Sequence, residues 1–203
     1  MHTAISPFTL ASWKGKSPAG GKQFGWQGTS PEFGDIQVVH PAGPYAREKI
    51  TTAVQGGLIP TATFETRGLH ADDLSMPTLN GATLRVGDAV VRMSRNRWAQ
   101  THRGRSLRMT YLGDAYTLTA INRRAYTLSR RPDAEDPGVV VTVRQSGRGS
   151  GRKATVQAAG RVLPADVALA ALFSGVDRSV LTRRGVVRAA FARMFAFWAG
   201  IYS

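Results

Sequence analysis

Apolar and polar side chains alternate with a period of two in eight short runs between residues 61 and 162. In the run 106–112, for example, Leu107, Met109 and Tyr111 share one face, and Arg108 and Thr110 share the other. This alternation, with many β-branched and aromatic residues, is typical of antiparallel strands that bury one face. Two further short strands are predicted at 36–39 and 49–54. The pattern therefore predicts a mainly β protein built as an antiparallel meander or barrel.

Short turns separate the predicted strands. Gly87-Asp88 and Gly113-Asp114 each stand between two alternating runs. A glycine at the first central position of a two-residue loop suits a type II′ hairpin turn. We therefore expect neighbouring runs to pair as hairpins in chain order.

The periodicity changes at Leu163, where a short apolar helix is predicted over about 163–176. Pro164 suits the first helical turn, Asp166 suits the positive end of the helix dipole, and Gly175 suits the stop. Every residue from Val167 to Phe173 is apolar. A helix that is apolar all round is buried on all sides. We expect a helix enclosed by the barrel, with a helix between the sheet and the final segment as the alternative.

The predicted core combines the inward faces of the strands with this helix. Burying these side chains requires both elements to share one interior. The predicted core residues are Leu84, Val86, Val91, Met93, Leu107, Met109, Tyr111, Tyr116, Leu118, Leu128, Val139, Val141, Val143, Val167, Leu169, Ala170, Leu172 and Phe173.

The composition of the two ends of the chain differs from that of this central region. Residues 1–35 are rich in Gly and Pro and predict a weakly ordered N-terminal arm, which isolated aromatic residues anchor to the body. Residues 36–176 form the predicted barrel-like domain. Residues 177–203 form a basic and aromatic C-terminal helical tail. The chain thus divides into an arm, one domain and a tail.

The 203 residues carry a formal net charge of +14 and no cysteine. The absence of cysteine excludes disulfides, thiolate metal sites and cysteine nucleophiles. The whole positive excess lies within residues 92–193, and such a field attracts phosphate groups in nucleic acid, lipid headgroups or acidic proteins. A compositional preference for arginine is the alternative explanation.

The strongest candidate binding segment is 92–108, which has six arginines and no acid. Arginine forks bind phosphate in bidentate geometry, and a tryptophan supplies a stacking face or an interfacial anchor. A solvated loop between strands is the alternative. The predicted ligand- or phosphate-binding residues are Arg92, Arg95, Arg97, Trp98, Arg103, Arg105 and Arg108.

A second candidate contact lies in the C-terminal tail. Phe191, Phe195 and Trp198 are interrupted by Arg188 and Arg193, and burying both cations in a core would be costly. At an interface the arginines reach water while the aromatic rings stay dry. We therefore expect these three aromatic residues to contact a membrane or a partner. The alternative is that the tail packs against its own sheet.

Other chemistry is sparse in the sequence. No two histidines have metal-ligand spacing, no nucleophile–base constellation is evident, and no cofactor or metal is expected. The glycine-rich segment 146–151 has the backbone N–H groups to hold a phosphate, or serves simply as a hairpin connection. A catalytic role is therefore not predicted, although residues that converge only in space escape this reasoning.

The strands followed by the apolar helix at Leu163–Val176 resemble the tubby C-terminal-like superfamily, which includes the LURP-one-related proteins and the phospholipid scramblases. The resemblance covers residues 61–176, with Tyr116 and Tyr126 in neighbouring hairpins. It implies an antiparallel barrel wrapped around a hydrophobic helix near the C-terminus. It also implies association with membrane lipid.

Three function classes follow from these features. The first is a non-enzymatic module that binds an acidic surface, foremost anionic membrane lipid or a phosphorylated headgroup. Nucleic-acid binding is the second, although no known motif is present. The third is an assembly or scaffold subunit that docks through its arm and tail. A cytoplasmic location, with peripheral attachment to a membrane, is the default expectation because no signal peptide is evident, and the oligomeric state stays open.

Overall fold

The computed structural model describes residues 2–16, 21–41, 49–67, 76–79, 81–96, 101, 104–134 and 136–182. In this part of the chain, twelve antiparallel strands follow one another around a closed barrel, and the first strand pairs with the last. The predicted barrel is therefore confirmed. The strands are β1 (His2–Lys16), β2 (Lys22–Ser30), β3 (Gly34–Pro41), β4 (Lys49–Gln55), β5 (Ala62–Arg67), β6 (Ala82–Val86), β7 (Ala89–Arg95), β8 (Leu107–Tyr111), β9 (Asp114–Ala120), β10 (Ala125–Arg130), β11 (Val139–Ser146) and β12 (Lys153–Val162).

The apolar helix fills the inside of this barrel. Helix α1 (Pro164–Leu172) continues into a 3₁₀ turn at Phe173–Gly175, and every residue from Asp166 to Val176 is buried. The helix contacts β4, β5 and β6 on one side and β10, β11 and β12 on the other. Contacts in opposite directions explain why the helix needs no polar face. The enclosed arrangement expected from the sequence is confirmed.

Asp166 anchors the start of the helix through a buried ionic network. Its carboxylate accepts hydrogen bonds from the Leu163 backbone N–H (2.7 Å), the Arg130 Nε (3.0 Å) and the Tyr116 hydroxyl (3.0 Å). Arg130 Nη1 also lies 2.8 Å from the Asp136 carboxylate. Each charge is thus compensated and hydrogen-bonded, which a buried ion pair requires. The network fixes where the helix enters the barrel.

A tyrosine inside the barrel holds the other half of the helix. The Tyr126 hydroxyl donates a hydrogen bond to the Ala170 carbonyl at 2.5 Å. Burial raises the pKa of Tyr126 well above its ordinary value, so the phenol stays neutral and keeps its proton for this bond. Tyr116 and Tyr126 therefore tether the helix to β9 and β10 at two heights.

The predicted core is confirmed at nearly every position. Leu84, Leu118, Leu128, Leu169 and Leu172 have no exposed surface, and the other predicted residues of the strands and helix are also buried, with two exceptions. The exceptions are Met93 and Tyr111, which are half-buried and pack against the core.

The N-terminal region differs from the expected weakly ordered arm. Its described residues form β1, β2 and the start of β3, and Phe8, Leu10 and Trp26 point into the core. Two glycines of this region, Gly25 and Gly28, are needed for the packing of neighbouring strands. A Cβ at Gly25 would lie 1.8 Å from the Val38 carbonyl oxygen, and one at Gly28 would lie 2.4 Å from that of Thr9. These glycines let neighbouring strands approach closely.

One predicted turn is centred differently. Gly87 has a positive φ of 55° and occupies the first central position of the β6–β7 hairpin, as expected. In the β8–β9 hairpin Tyr111 pairs with Asp114, so the central residues are Leu112 and Gly113. Both have positive φ, 49° and 94°, which is typical of a type I′ turn. Leu112 is therefore a strained leucine at an exposed hairpin tip.

Candidate functional site

The two ends of the barrel differ in charge. In an up-and-down barrel alternate loops lie at the same end, so the loops β2–β3, β4–β5, β6–β7, β8–β9 and β10–β11 share one end with the start of α1. We call this the acidic end. The described acidic residues that lie there are Glu32, Asp35, Asp88, Asp114, Asp133, Asp136 and Asp166.

The opposite end, which we call the basic end, holds the other loops and the chain that leaves the helix. The described acidic residues of this end are Asp177 and Glu65. Glu65, on β5, pairs with Arg67 at 2.6 Å. The remaining described cations of this end are Lys14, Lys16, Lys22, Arg95, Arg105, Arg123, Arg124, Arg144, Arg148, Arg152, Lys153 and Arg178. The acidic end also holds four described cations, Arg85, Arg130, Arg131 and Arg161, against its seven acids. Acids therefore predominate at one end of the barrel axis and cations at the other.

A cavity of about 670 Å³ opens at the basic end. Strands β1, β2, β3 and β11, the hairpin loops at 121–124 and 147–152, and the segment 174–179 form its walls. Its volume is within the range of small-molecule sites. Its lining residues are Ser12, Trp13, Lys14, Phe24, Gly25, Trp26, His40, Met76, Arg123, Arg124, Gln145, Gly149, Ser150, Arg152, Ser174, Val176, Asp177, Arg178 and Ser179.

One wall of the cavity is aromatic. The Arg152 guanidinium lies 5.0 Å from the centre of the Trp26 ring, and the Trp13 Nε1–H donates to the Val38 carbonyl at 3.3 Å. Phe24 meets His40 edge to face, with 4.3 Å between ring centres. Flat apolar rings thus lie directly beside a cation, a combination that suits a ligand with an apolar part and a negative charge.

His40 is a neutral member of this wall. Burial, followed by the positive charge of Arg152, lowers the pKa of His40 to about 4. The Thr52 hydroxyl, which donates to the Gly175 carbonyl at 3.1 Å, lies 3.4 Å from His40 Nδ1. A Cβ at Gly175 would lie 2.4 Å from the His40 ring, so glycine is needed where the chain leaves the helix. The histidine therefore adds no positive charge near pH 7.

Arg178 lies at the base of the cavity. It is 6% exposed, it donates to the carbonyls of Phe173 and of Val176, and its guanidinium lies 4.2 Å from the centre of the Tyr126 ring. Burial lowers the pKa of Arg178, although the neighbouring Asp177 acts in the opposite direction. Asp177 itself accepts both hydrogen bonds of Ser179, at 2.9 Å each. Within the described residues Arg178 forms no salt bridge.

Two buried polar atoms on this surface lack partners. Neither the Ser174 hydroxyl nor the Arg178 Nε finds a hydrogen-bond partner in the described part of the chain. Ser174 is 4% exposed, and both side chains line the cavity. Leaving such donors unsatisfied is costly, so native proteins do so rarely and each instance requires an explanation.

Four of the seven predicted phosphate-binding residues lie within the described part of the chain. Arg92 and Arg108 are exposed on the outer faces of β7 and β8. Arg95 lies at the basic end of β7, and buried Arg105 donates from its Nε to the Thr101 carbonyl at 3.3 Å. None of these four lines the cavity. The other predicted residues of both sites, Arg97, Trp98, Arg103, Phe191, Phe195 and Trp198, lie outside the described residues.

The residues that sequence reasoning missed are distant in sequence and close in space. Lys14 lies near the end of β1, Arg123 and Arg124 in the β9–β10 hairpin, Arg152 before β12 and Arg178 after the helix, so no single stretch of sequence marks them as one site. The order of the predicted strands could have grouped these residues, because every second loop of a β-meander lies at the same end of the barrel. The glycine-rich segment 146–151 was noticed, and its Gly149 and Ser150 do line the cavity.

The described residues hold neither a metal-binding cluster nor a membrane-spanning helix. No three His, Asp or Glu side chains come together there as a metal-binding group. Within the same residues no helix has the length and apolar character needed to cross a bilayer.

Comparisons with known proteins give little to set beside this geometry. No protein-family model and no curated protein matches the chain. Among solved structures, the crystal structure of the di-domain ARO/CYC StfQ from the steffimycin biosynthetic pathway matches with 9% identity over 94% of this chain and 84% of that one. The TM-score is 0.27, which is too low to support an argument about fold or function.

Proposed function

We propose that this protein is a non-enzymatic binding module whose basic end engages an anionic membrane surface, through lipids with anionic or phosphorylated headgroups. The observation that carries the proposal is the segregation of charge along the barrel axis. Most of the described cations lie around one end, and most of the described acids lie around the other. Such a charge distribution orients the molecule toward a negative surface.

The expected electrostatic attraction is strong enough to hold the protein reversibly at an anionic membrane. Each Lys or Arg near an anionic leaflet contributes about 1 kcal/mol, and the basic end presents several exposed cations, including Arg123, Arg124, Arg148 and Arg152. The acidic end is repelled by the same surface. The exposed cations therefore suffice for reversible, salt-sensitive attachment without any membrane-spanning element.

Membership of the tubby C-terminal-like superfamily is part of the same proposal. The resemblance over residues 61–176 implies an antiparallel barrel around a hydrophobic helix, and the closed barrel around α1 has this architecture. This agreement supports the membership and, with it, a role at membranes.

The experiment is co-sedimentation of the full chain with vesicles of phosphatidylcholine, with and without anionic phosphatidylserine. We expect binding to the anionic vesicles alone, and loss of most binding in Arg123→Glu/Arg124→Glu at the basic end. The matched control is Arg85→Glu/Arg131→Glu, which reverses two exposed cations remote from that end and should bind nearly as the unaltered protein does.

Two outcomes would overturn the proposal. One is equal failure to bind both kinds of vesicle. The other is equal loss in the two double variants, which would make net charge and not its location decisive. If the protein instead binds a DNA or RNA duplex with a steep dependence on salt while ignoring vesicles, nucleic-acid binding replaces lipid binding.

A further inference from the structure

We infer that the cavity at the basic end binds one molecule of an anionic amphiphile, with its anionic group at the base and rim and its apolar part against the aromatic wall. This inference deepens the proposed function and rests on it for the choice of the basic end as the binding surface. It differs in kind, because a charged end attracts a surface whereas a cavity selects a single molecule.

The buried donors at the base carry the argument for an anion. The Ser174 hydroxyl and the Arg178 Nε are unsatisfied within the described residues, and both residues line the same cavity. A phosphate, sulfate or carboxylate oxygen accepts hydrogen bonds from a hydroxyl and from a guanidinium, and a charge-assisted bond of this kind is a strong one. An anion there would also supply the countercharge that Arg178 lacks.

The rim adds further cations to the same space. The exposed cations at the opening are Lys14, Arg123, Arg124 and Arg152. Among the described lining residues, Asp177 is the one acid. The Asp177 carboxylate is occupied by the backbone N–H and the hydroxyl of Ser179. The net charge of the described lining residues is therefore positive, which disfavours a neutral or cationic ligand.

The aromatic wall indicates that the ligand is not a bare anion. Trp13, Phe24 and Trp26 present flat apolar surface within the cavity, and His40 beside them is neutral near pH 7. A small inorganic anion would leave this surface wet. Burying an acyl chain or an aromatic ring against it gains about 25 cal/mol for each Å² removed from water. Phospholipids and soluble phosphorylated amphiphiles share this chemistry.

The test is calorimetric titration of the full chain with dihexanoyl phosphatidic acid, a soluble short-chain lipid. We expect saturable binding with one site per chain. Dihexanoyl phosphatidylcholine, which adds a cation to the headgroup, and inorganic phosphate, which lacks the apolar part, should each bind at least about tenfold more weakly. Anionic and neutral vesicles in parallel show whether the ligand is taken from a bilayer or from solution.

Matched variants separate the cavity from the charged surface. Arg123→Ala/Arg124→Ala removes two cations that line the cavity, and Arg144→Ala/Arg148→Ala removes two exposed cations of the same end that do not. We expect the first pair to weaken binding of dihexanoyl phosphatidic acid by about tenfold or more and the second by less than about twofold. Equal weakening in both would overturn the cavity assignment.

Ser174→Ala supplies the sharpest variant. A hydroxyl that serves no ligand costs stability, so its removal would leave binding unchanged and would raise the melting temperature. If the hydroxyl binds the anion, its removal weakens binding by about tenfold. Unchanged binding, or no saturable binding to the unaltered protein, overturns this inference. Vesicle binding that persists in that case leaves the proposed function intact, and loss of vesicle binding alone overturns only the latter.

Discussion

Two buried arginines, one near each end of the barrel, have opposite surroundings. Arg130 at the acidic end is 3% exposed and contacts both Asp136 and Asp166. Arg178 at the basic end is 6% exposed and contacts two carbonyls and an aromatic ring, with no salt bridge from the described residues. The positive charge of Arg130 is therefore neutralised by ion pairs within the fold, whereas that of Arg178 has no ion pair among the described residues.

The pKa values respond in opposite directions. Burial alone would lower the pKa of Arg130, but the hydrogen bonds and charges of Asp166 and Asp136 outweigh it and raise that pKa above its ordinary value. At Arg178 burial dominates and the pKa falls. A completed ion pair thus marks a structural element of this barrel, whereas the uncompensated cation beside the cavity is where we propose that the anionic group of the ligand binds.

The largest expected effect comes from breaking the completed pair. Arg130→Met leaves Asp166 buried without its cation, so the free energy of unfolding should fall by about 3–5 kcal/mol. Urea unfolding at pH 7 measures it. Arg131→Met, at the exposed neighbouring position, is the control and should change stability by no more than about 0.5 kcal/mol. Equal effects of the two substitutions would show that the ion pair between Arg130 and Asp166 does not stabilise the fold.

A second difference between the ends is their response to acid. Because the pKa of His40 is about 4 in the folded protein and 6.5 when unperturbed, its contribution to stability is complete above pH 6.5. It is lost as the pH falls from 6.5 to 4, where only the unfolded chain binds the proton, and the loss approaches about 3 kcal/mol. Urea unfolding across this range should show a smaller decline in His40→Asn than in the unaltered protein.

At the acidic end, Asp136 affects stability over a lower range of pH than His40 does. Burial raises the pKa of Asp136, but hydrogen bonds from Arg130 and Gly138 and the charges of Arg130 and Arg161 bring it below its ordinary value of 3.8. Its contribution to stability is therefore present above that value and is lost only at lower pH. Parallel pH curves for His40→Asn and the unaltered protein would show that His40 is not the sensitive group.

A smaller effect is expected from removing the uncompensated cation. Arg178→Met replaces a buried charge by an apolar side chain, which is often neutral or stabilising when no ion pair is broken. The two carbonyl hydrogen bonds are lost, so the net change should stay within about 1 kcal/mol. A loss as large as that of Arg130→Met in the same urea assay would make Arg178 a structural residue and would erase the difference between the ends.

The smallest effect concerns the acidic end alone. Leu112 has a φ of 49° in the β8–β9 hairpin, where Asn is better tolerated than leucine. Leu112→Asn should raise the free energy of unfolding by about 0.5–1 kcal/mol without changing binding at the basic end. A change in calorimetric binding in this variant would mean that the two ends are coupled.

The sequence predicts the fold better than the site because the two depend on different ranges of information. Alternation within five to ten residues identifies β5 to β12, and the uniformly apolar stretch from Val167 to Phe173 identifies the enclosed helix. The first two strands escape this reasoning. Gly25 and Gly28 break the alternation because neighbouring strands pass closely over them, and that proximity is absent from the local pattern.

The candidate site depends on which loops share an end. The run from Arg92 to Arg108 has the highest local density of charge, yet Arg92 and Arg108 point outward from the barrel wall. The cavity takes single cations such as Arg124 and Arg152 from connections that are unremarkable individually. Only the order of the strands around the barrel brings them together, so reasoning from one segment at a time does not find them.

Barrel closure by β1 and β12 determines when the protein can fold during synthesis. The first strand emerges from the ribosome about 150 residues before its second partner, and the helix that occupies the interior emerges later still. Until then, the inward faces of the strands have nothing to pack against. Such a chain has a high contact order and folds slowly. Its aggregation-prone surface therefore stays exposed until the helix has left the ribosomal tunnel, and only then can folding of the barrel be completed.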